Sequence, residues 1–372
     1  MNLFNIAKAV TYFLLLLFII SCGENEVNHS VPEGNEVKPD TIRPEYAKGF
    51  YFLKYQSNDY VLILQDEKQS KTKKYHFTLN DSASKSSDKI PLPVQSAVAF
   101  SSTHYGFLEP LNQTEIIKGI SGKEYLISNH KEEIEEIGFT ENLNFEKIVS
   151  LKPQVVFGNN FQSLDANFVN KFAQLGIAYI PISEYSEDSP LARAEWIKVF
   201  GLLTGKTASA DSIFRNIEKQ YLQLKQSACN KNKPTVLMSF PYQNTWYVPG
   251  GKSFQATFVK DAGGNYIFSE NQDKNSFIAD SELILEKGKN ADFWLNLNNI
   301  QTKKEILDEN PLFARFKAFQ NNTIFNNNKQ MVGKANAYWQ TGVVNPHKIL
   351  ADIIHILQND TNKNLNYYKP VR

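Results

Sequence analysis

Between residues 191 and 226 the chain carries a helical repeat with no strand inside it, and that block constrains everything on either side. Leu191, Ala194, Ile197, Phe200 and Leu203 recur at helical spacing, and Ile213, Ile217, Tyr221 and Leu224 do so again after Gly205. Outside the block the pattern changes to short apolar runs alternating with amphipathic stretches. Strands are predicted at 97–100, 116–120, 155–157 and 178–182, with helices at 105–111, 145–151 and 164–175. Beyond it, strands are predicted at 235–238, 246–248 and 293–297, with helices at 254–261, 281–287 and 346–357. Such alternation builds largely parallel sheets covered by helices. The expected fold is therefore α/β, with two Rossmann-like lobes joined by a long helix, and a cleft between lobes is a favoured place for a ligand.

Three further aromatic or β-branched runs, at 50–54, 60–64 and 75–79, are divided by polar turns and predict a small antiparallel meander. Ahead of them the chain is polar and reads as a flexible tether. The expected organisation is a signal peptide at 1–21, the tether at 22–44 and a β-rich extension at 45–95. An N-terminal lobe at 96–190, a connecting helical segment at 191–228 and a C-terminal lobe at 229–372 follow.

At the start of the chain, Lys8 is the only charge before an apolar stretch at 12–20, and Ser21-Cys22-Gly23 follows directly. A positive n-region, a short apolar core and small residues at the cut describe a secretory signal. The run is too short to span a bilayer, which needs about 20 residues. Ile19-Ile20-Ser21-Cys22 also resembles the lipobox of bacterial lipoproteins, in which the cysteine is acylated and becomes the mature N-terminus. The only other cysteine is Cys229. With Cys22 lipidated no intramolecular disulfide can form, and stability must come from the core.

Forty basic and 39 acidic side chains give a formal net charge of +1, without a long basic block, so nucleic acid is not an expected partner. Catalytic signatures are missing as well. Gly205-Lys206-Thr207 lacks the glycine a P-loop requires at the position of Phe200, and it sits in a helical pattern. Gly119-Ile120-Ser121-Gly122 has the wrong spacing for a nucleophile elbow. The six histidines are scattered, with His104 and His130 expected in loops, and no short zinc motif appears. Aromatic residues make up 13% of the chain, which suits a site that grips a large planar ligand.

The stretch Asn144-Phe145-Glu146-Lys147-Ile148-Val149-Ser150-Leu151-Lys152-Pro153-Gln154-Val155-Val156 closely resembles a segment of the substrate-binding proteins of ABC importers for iron siderophores, haem and vitamin B12. Asp261-Ala262-Gly263-Gly264-Asn265 and Ala318-Phe319-Gln320-Asn321-Asn322-Thr323-Ile324-Phe325 look like two later landmarks of that family. The segments from Trp246 to Gly251 and from Trp339 to Pro346 are similar to its Bacteroidetes-type lipoprotein branch.

The resemblance implies a class III periplasmic binding protein fold with ligand held between the lobes. Its matching ligand-binding positions are Ser102, Thr103, His104, Ser121, Tyr125, Asn160 and Phe161 in the first lobe. In the second they are Tyr242, Trp246, Tyr247, Asn296, Tyr338 and Trp339. Glu146 and Glu282 match the two surface glutamates that engage the permease. The implied cargo is a large metal chelate, a ferric siderophore or cobalamin ahead of haem, for which His104 or Tyr125 would supply the axial ligand. No resident cofactor is implied. The implied partners are an ABC permease and its ATPase, and a membrane on its periplasmic side through the lipid, with the protein itself a monomer. Two other readings compete with this one: a metal-dependent enzyme on an α/β scaffold, and a permease-independent scavenging or adhesion module.

Overall fold

The computed structural model describes residues 38–57, 59–66, 71–79, 89–139, 142–159, 166–228, 233–243, 245–360 and 363–372. The expectations at Cys22, Cys229, Asn160 and Phe161 lie outside the described residues, as does the signal peptide.

The first sheet has five strands: β1 (Asp40–Ile42), β2 (Phe50–Lys54), β3 (Tyr60–Asp66), β4 (Lys71–Thr78) and β5 (Ile90–Pro91). The first four pair antiparallel in sequence order, and β5 closes the edge in parallel with β4. Strand β1 falls inside the stretch read as tether, so ordered pairing starts ahead of residue 45. Phe50, Phe52, Leu62, Leu64 and Phe77 sit on one face and join the main hydrophobic core, with Phe50 edge-on to Trp196 at 5.1 Å.

Five parallel strands follow: β6 (Ala97–Ala99), β7 (Ile117–Ile120), β8 (Glu135–Glu136), β9 (Val155–Gly158) and β10 (Ala178–Pro181), in spatial order β10-β9-β6-β7-β8. Strand side chains alternate between faces. Val98, Val156 and Tyr179 enter a small core with Ile148 and Phe172, while Ala97, Ala99, Val155, Phe157 and Ile180 enter the large one. Burial on both faces is why these strands read as continuous apolar runs rather than alternating ones.

The connecting segment, expected as one long helix, is three: Pro190–Glu195, Ile197–Leu203 and Thr207–Ser227. Gly205 at φ +69° makes the turn between the second and third. Those two helices pack so closely that a Cβ on Gly201 would lie 2.4 Å from the Ala210 Cβ. Phe200 anchors the first lobe to this joint, stacked on Phe107 at 4.9 Å and edge-on to Phe157 at 5.2 Å. On the other side Tyr221 donates to Asp261 Oδ2 at 2.8 Å, tying the long helix to the Phe254–Asp261 helix of the second lobe.

The second lobe contributes β11 (Thr235–Met238), β12 (Trp246–Val248), β13 (Asn265–Tyr266), β14 (Phe277–Ala279), β15 (Phe293–Leu295), β16 (Ile324–Asn326), β17 (Met331–Val332), β18 (Ala335–Asn336) and β19 (Lys369–Pro370). Strands β13-β11-β15-β16 are parallel and β19 closes the sheet antiparallel; β12/β14 and β17/β18 are two-stranded ribbons. The architecture is α/β, with two parallel-sheet lobes around a helical joint.

The extension is locked to that joint by two carboxylates. Glu195, fully buried, accepts from the main-chain N–H groups of Glu45, Tyr46 and Ala47 at 2.8–3.0 Å and from Lys198 Nζ at 2.6 Å. Glu187 accepts from the N–H groups of Lys48 and Gly49 and from Trp196 Nε1. Five consecutive amides are thereby satisfied with no ladder partner. Replacing Glu195 with alanine strands three of them and is expected to lower unfolding stability by about 3 kcal/mol. Urea titration at neutral pH measures this; a loss within 0.5 kcal/mol, the usual span of a surface change, would contradict it.

Candidate functional site

In an open parallel sheet the crevice lies outside the carboxyl ends of the strands, where the strand order reverses. In the first lobe the reversal is between β6 and β9, and in the second between β11 and β15. After β6, the Ser101 side chain accepts from Thr103 N at 3.1 Å and caps the Ser102–Leu108 helix. Ser102 and Thr103 therefore stand in its first turn, partly exposed. Thr103 Oγ1 donates to the main-chain carbonyl of Trp339 at 3.3 Å, bringing two of the sequence-selected residues together from opposite lobes.

His104 is not available to a ligand. It lies in the same helix, not a loop, has 0% exposure and packs near Phe200. Burial pushes its imidazole down to about 3, the Phe157 carbonyl offsetting only part of that. It is a neutral core residue, so the axial-ligand reading cannot rest on it.

Beyond β7, Ser121 and Gly122 form a turn held by Glu136, whose carboxylate accepts from the N–H groups of Gly122 and Gly138 at 3.1 and 2.7 Å and also from Lys123 N. A Cβ on Gly122 would meet Phe139 at 2.9 Å and Tyr125 at 3.1 Å, so only glycine fits between these rings. Tyr125 and Phe139 are both exposed and meet edge-on at 6.1 Å. Phe139 was not selected from the sequence; its neighbour Gly138, at φ +81° after a strand, was the available hint of a shaped turn.

In the second lobe the loop after β15 carries Asn296 and Asn298, both in left-handed backbone that asparagine tolerates. Their polar groups hold the loop: Asn296 Oδ1 accepts from Tyr368 OH at 2.7 Å, and Asn298 Nδ2 donates to the Phe240 carbonyl at 2.9 Å. Asn326 clamps the same loop, accepting from Leu297 N and donating to the carbonyls of Asn298 and Ile300. On the β12/β14 ribbon Tyr247 is exposed opposite Ile278, and Tyr242 is exposed just ahead of it.

Trp246, the strand neighbour of Tyr247, points the other way. At 2% exposure it belongs to a cluster with Phe240, Trp294 and Phe313 and lines no cleft. Tyr338 is likewise buried, edge-on to Tyr367, Tyr368 and Trp339. Trp339 itself is 45% exposed. It roofs a recess of about 20 Å³ with Arg193 and Phe254, where the guanidinium lies 4.1 Å over the Phe254 ring and 3.6 Å from Glu184.

Contacts across the lobes were invisible in sequence. Gln340, fully buried, accepts from Ile127 N at 2.9 Å and donates to Ile127 O at 2.8 Å, and its amide also reaches Glu109 at 2.9 Å. Burial pushes Glu109 up to about 7, with the Gln340 bond opposing it. Nearer the surface, Lys334 pairs with Glu124 at 2.8 Å.

Glu146 and Glu282 are exposed in the first turns of the Phe145–Ser150 and Ser281–Gly288 helices. Each helix leads into a parallel strand, β9 or β15, so each helix N-terminus lies toward the carboxyl edge of its sheet. The two glutamates thus stand at the cleft end of their lobes.

Of the four tryptophans, Trp196, Trp246 and Trp294 are at most 2% exposed. Iodide quenching of the folded protein's emission is therefore expected to come almost wholly from Trp339 and to vanish in Trp339→Phe. Equal quenching in that variant would contradict this arrangement.

A family model described as periplasmic binding protein matches residues 98–330, more than half of the chain. An uncharacterized lipoprotein of Methanocaldococcus jannaschii is 28% identical over 290 residues, covering 74% of this chain and 67% of that protein. The triscatecholate siderophore binding protein of Bacillus subtilis, solved with ferri-bacillibactin, is similar in structure with a TM-score of 0.55 at 18% identity, covering 72% of this chain and 94% of that one. The periplasmic vitamin B12 binding protein of Vibrio cholerae gives 0.54 at 13% identity, covering 73% and 99%. With two parallel-sheet lobes on a helical joint and a matching family model across them, the chain belongs to the periplasmic binding protein family.

Proposed function

We propose that this protein is an exported lipoprotein, anchored through Cys22, that captures a large metal chelate between its lobes and delivers it to an ABC permease. The observation that carries the reading is Trp339, a half-exposed indole held at the lobe junction by Thr103 of the opposite lobe. Tyr125 and Phe139 in the first lobe and Tyr242 and Tyr247 in the second are exposed, and in this reading they extend an aromatic lining. Aromatic faces grip a large planar body through area and stacking, with their hydroxyls left to fix orientation.

Charge bears on the cargo. Lys334 and Glu124 neutralise one another, and Arg193, the cation beside Trp339, is engaged by Glu184 and Phe254. A neutral aromatic wall favours a corrinoid or another chelate of low charge over a strongly anionic tris-catecholate. For haem, with His104 buried, Tyr125 is the remaining axial candidate. Homology to a lipoprotein supports the anchored location, and among the described residues no helix is long and apolar enough to cross a membrane.

Calorimetric titration with cobalamin, haem and a series of ferric chelates tests the cargo. One of these is expected to bind one-to-one at micromolar Kd or tighter, and Trp339→Ala to weaken it by about 2 kcal/mol, roughly thirtyfold. Failure of all three classes to bind, or an unchanged Kd in the variant, would sink the reading.

Glu146 and Glu282 are proposed to set docking register on the permease through complementary charge. The double variant Glu146→Arg with Glu282→Arg is expected to keep cargo affinity while abolishing stimulation of the permease ATPase. Undiminished stimulation would remove both residues from that role.

A further inference from the structure

A cavity of about 510 Å³ opens in the second lobe, away from the cleft. His355, in the last turn of the Pro346–Leu357 helix, lies on its wall, whereas Pro346 at the start of that helix borders the recess under Trp339. At ~1.5 Å per residue the helix separates the two places by roughly 14 Å. The volume falls within the range of about 300–1,000 Å³ usual for small-molecule sites.

Its lining has two parts. The partly exposed Phe325 of β16 supplies the aromatic surface, with the buried Ile356 and Tyr368 also in the wall. Around them stand Lys329, Lys363, Lys369 and Arg372. Among the described residues none of these four cations is in an ion pair. Lys329 Nζ donates to Asn364 Oδ1 and to the Leu365 carbonyl, and Lys369 Nζ to Gln301 Oε1 at 2.7 Å. Neutral acceptors orient an ammonium without cancelling its charge.

Among the described residues the one acidic side chain in the wall is Asp360, which faces His355 Nδ1 at 3.5 Å. A free α-carboxyl at residue 372 would still leave the cations in excess by two. The whole chain carries a formal charge of only +1, so this excess is local. Like charges gathered around a partly enclosed space repel, and a bound anion relieves that cost while the focused field attracts it.

We propose that this cavity is a second ligand site, independent of the cleft, for an organic anion with an aromatic or apolar body, such as an aromatic carboxylate or sulfonate. The acidic groups meet the cationic rim and the ring covers the partly exposed Phe325.

The test is calorimetric titration of 5-sulfosalicylate into the full chain held in nanodiscs of zwitterionic lipid, at low ionic strength. Saturable one-to-one binding is expected. The exposed pair Lys363→Glu with Arg372→Glu should weaken it at least about tenfold, with the melting temperature confirming an intact fold. Lys363→Gln with Arg372→Gln should give an intermediate loss, and Trp339→Ala should leave the affinity unchanged. Absence of saturable binding, or equal affinity in the charge-reversed variant, would overturn the proposal. So would loss of binding in Trp339→Ala, which would put the probe in the cleft. The cleft reading stands or falls separately, because none of these outcomes depends on its cargo.

Discussion

A carboxylate buried against a run of main-chain N–H groups is the interaction on which the irregular parts of this fold depend. Glu195 and Glu187 each receive amides from the 45–49 segment, Glu136 receives those of the 122–123 turn and Gly138, and Asp352 receives those of Asn366, Tyr367 and Tyr368. A buried amide without a partner costs about 1–3 kcal/mol, and an isolated buried carboxylate far more. Each is the remedy for the other, and charge-assisted bonds are roughly twice as strong as neutral ones. Burial still raises the pKa of Glu187 and Asp352, with the amide bonds pulling the other way. The carboxylates sit on regular elements or directly beside them, so each transfers the rigidity of the scaffold to a segment that has no ladder of its own.

The junction between the lobes uses a different device. Gln340 copies the hydrogen bonding of a strand neighbour by pairing with both the N–H and the C=O of Ile127. The backbone approaches closely there: a Cβ on Gly106 would lie 1.8 Å from the Gln340 carbonyl oxygen, which makes glycine obligatory in that helix. A neutral amide can be buried at such a contact without the desolvation cost of an ion pair. The ion pair between Lys334 and Glu124 lies instead where water reaches and screens it, so it adds little to the junction. Of these two contacts the buried one is the firmer hold on the junction.

How much of this could be read from the sequence depends on whether a feature is local. The helices at Phe254–Asp261 and Pro346–Leu357 have the expected ends, because Ser253 caps the first and Pro346 starts the second. The helical block also stood out, although Gly205 and the bend at Trp196 divide it into three. Side-chain direction was the weaker inference. Trp246 and Tyr247 were both assigned to the cleft, but adjacent residues on a strand face opposite ways, and only Tyr247 is exposed. His104 was expected in a loop; Ser101 caps a helix one residue ahead of Thr103's turn, and helical phase carries position 104 into the core. Glu124 with Lys334, and Ile127 with Gln340, join positions more than 200 residues apart and leave no periodic trace.

These anchors bear on the cleft proposed above. Tyr125 stands on a turn fixed by Glu136, the loop of Asn296 and Asn298 is held by Asn326 and Tyr368, and Trp339 is tied to Thr103. Ordering a loop at the moment of binding costs roughly 0.5–1.5 kcal/mol for each immobilised side chain. Here the backbone of these segments is already ordered in folding, by Glu136, Asn326, Tyr368 and Thr103. On the proposed cleft reading, walls built this way would keep more of their contact energy as affinity. Loosening an anchor such as Glu136 or Asn326 would then weaken binding at a distance, by returning the entropy of a loop whose exposed side chains were unchanged.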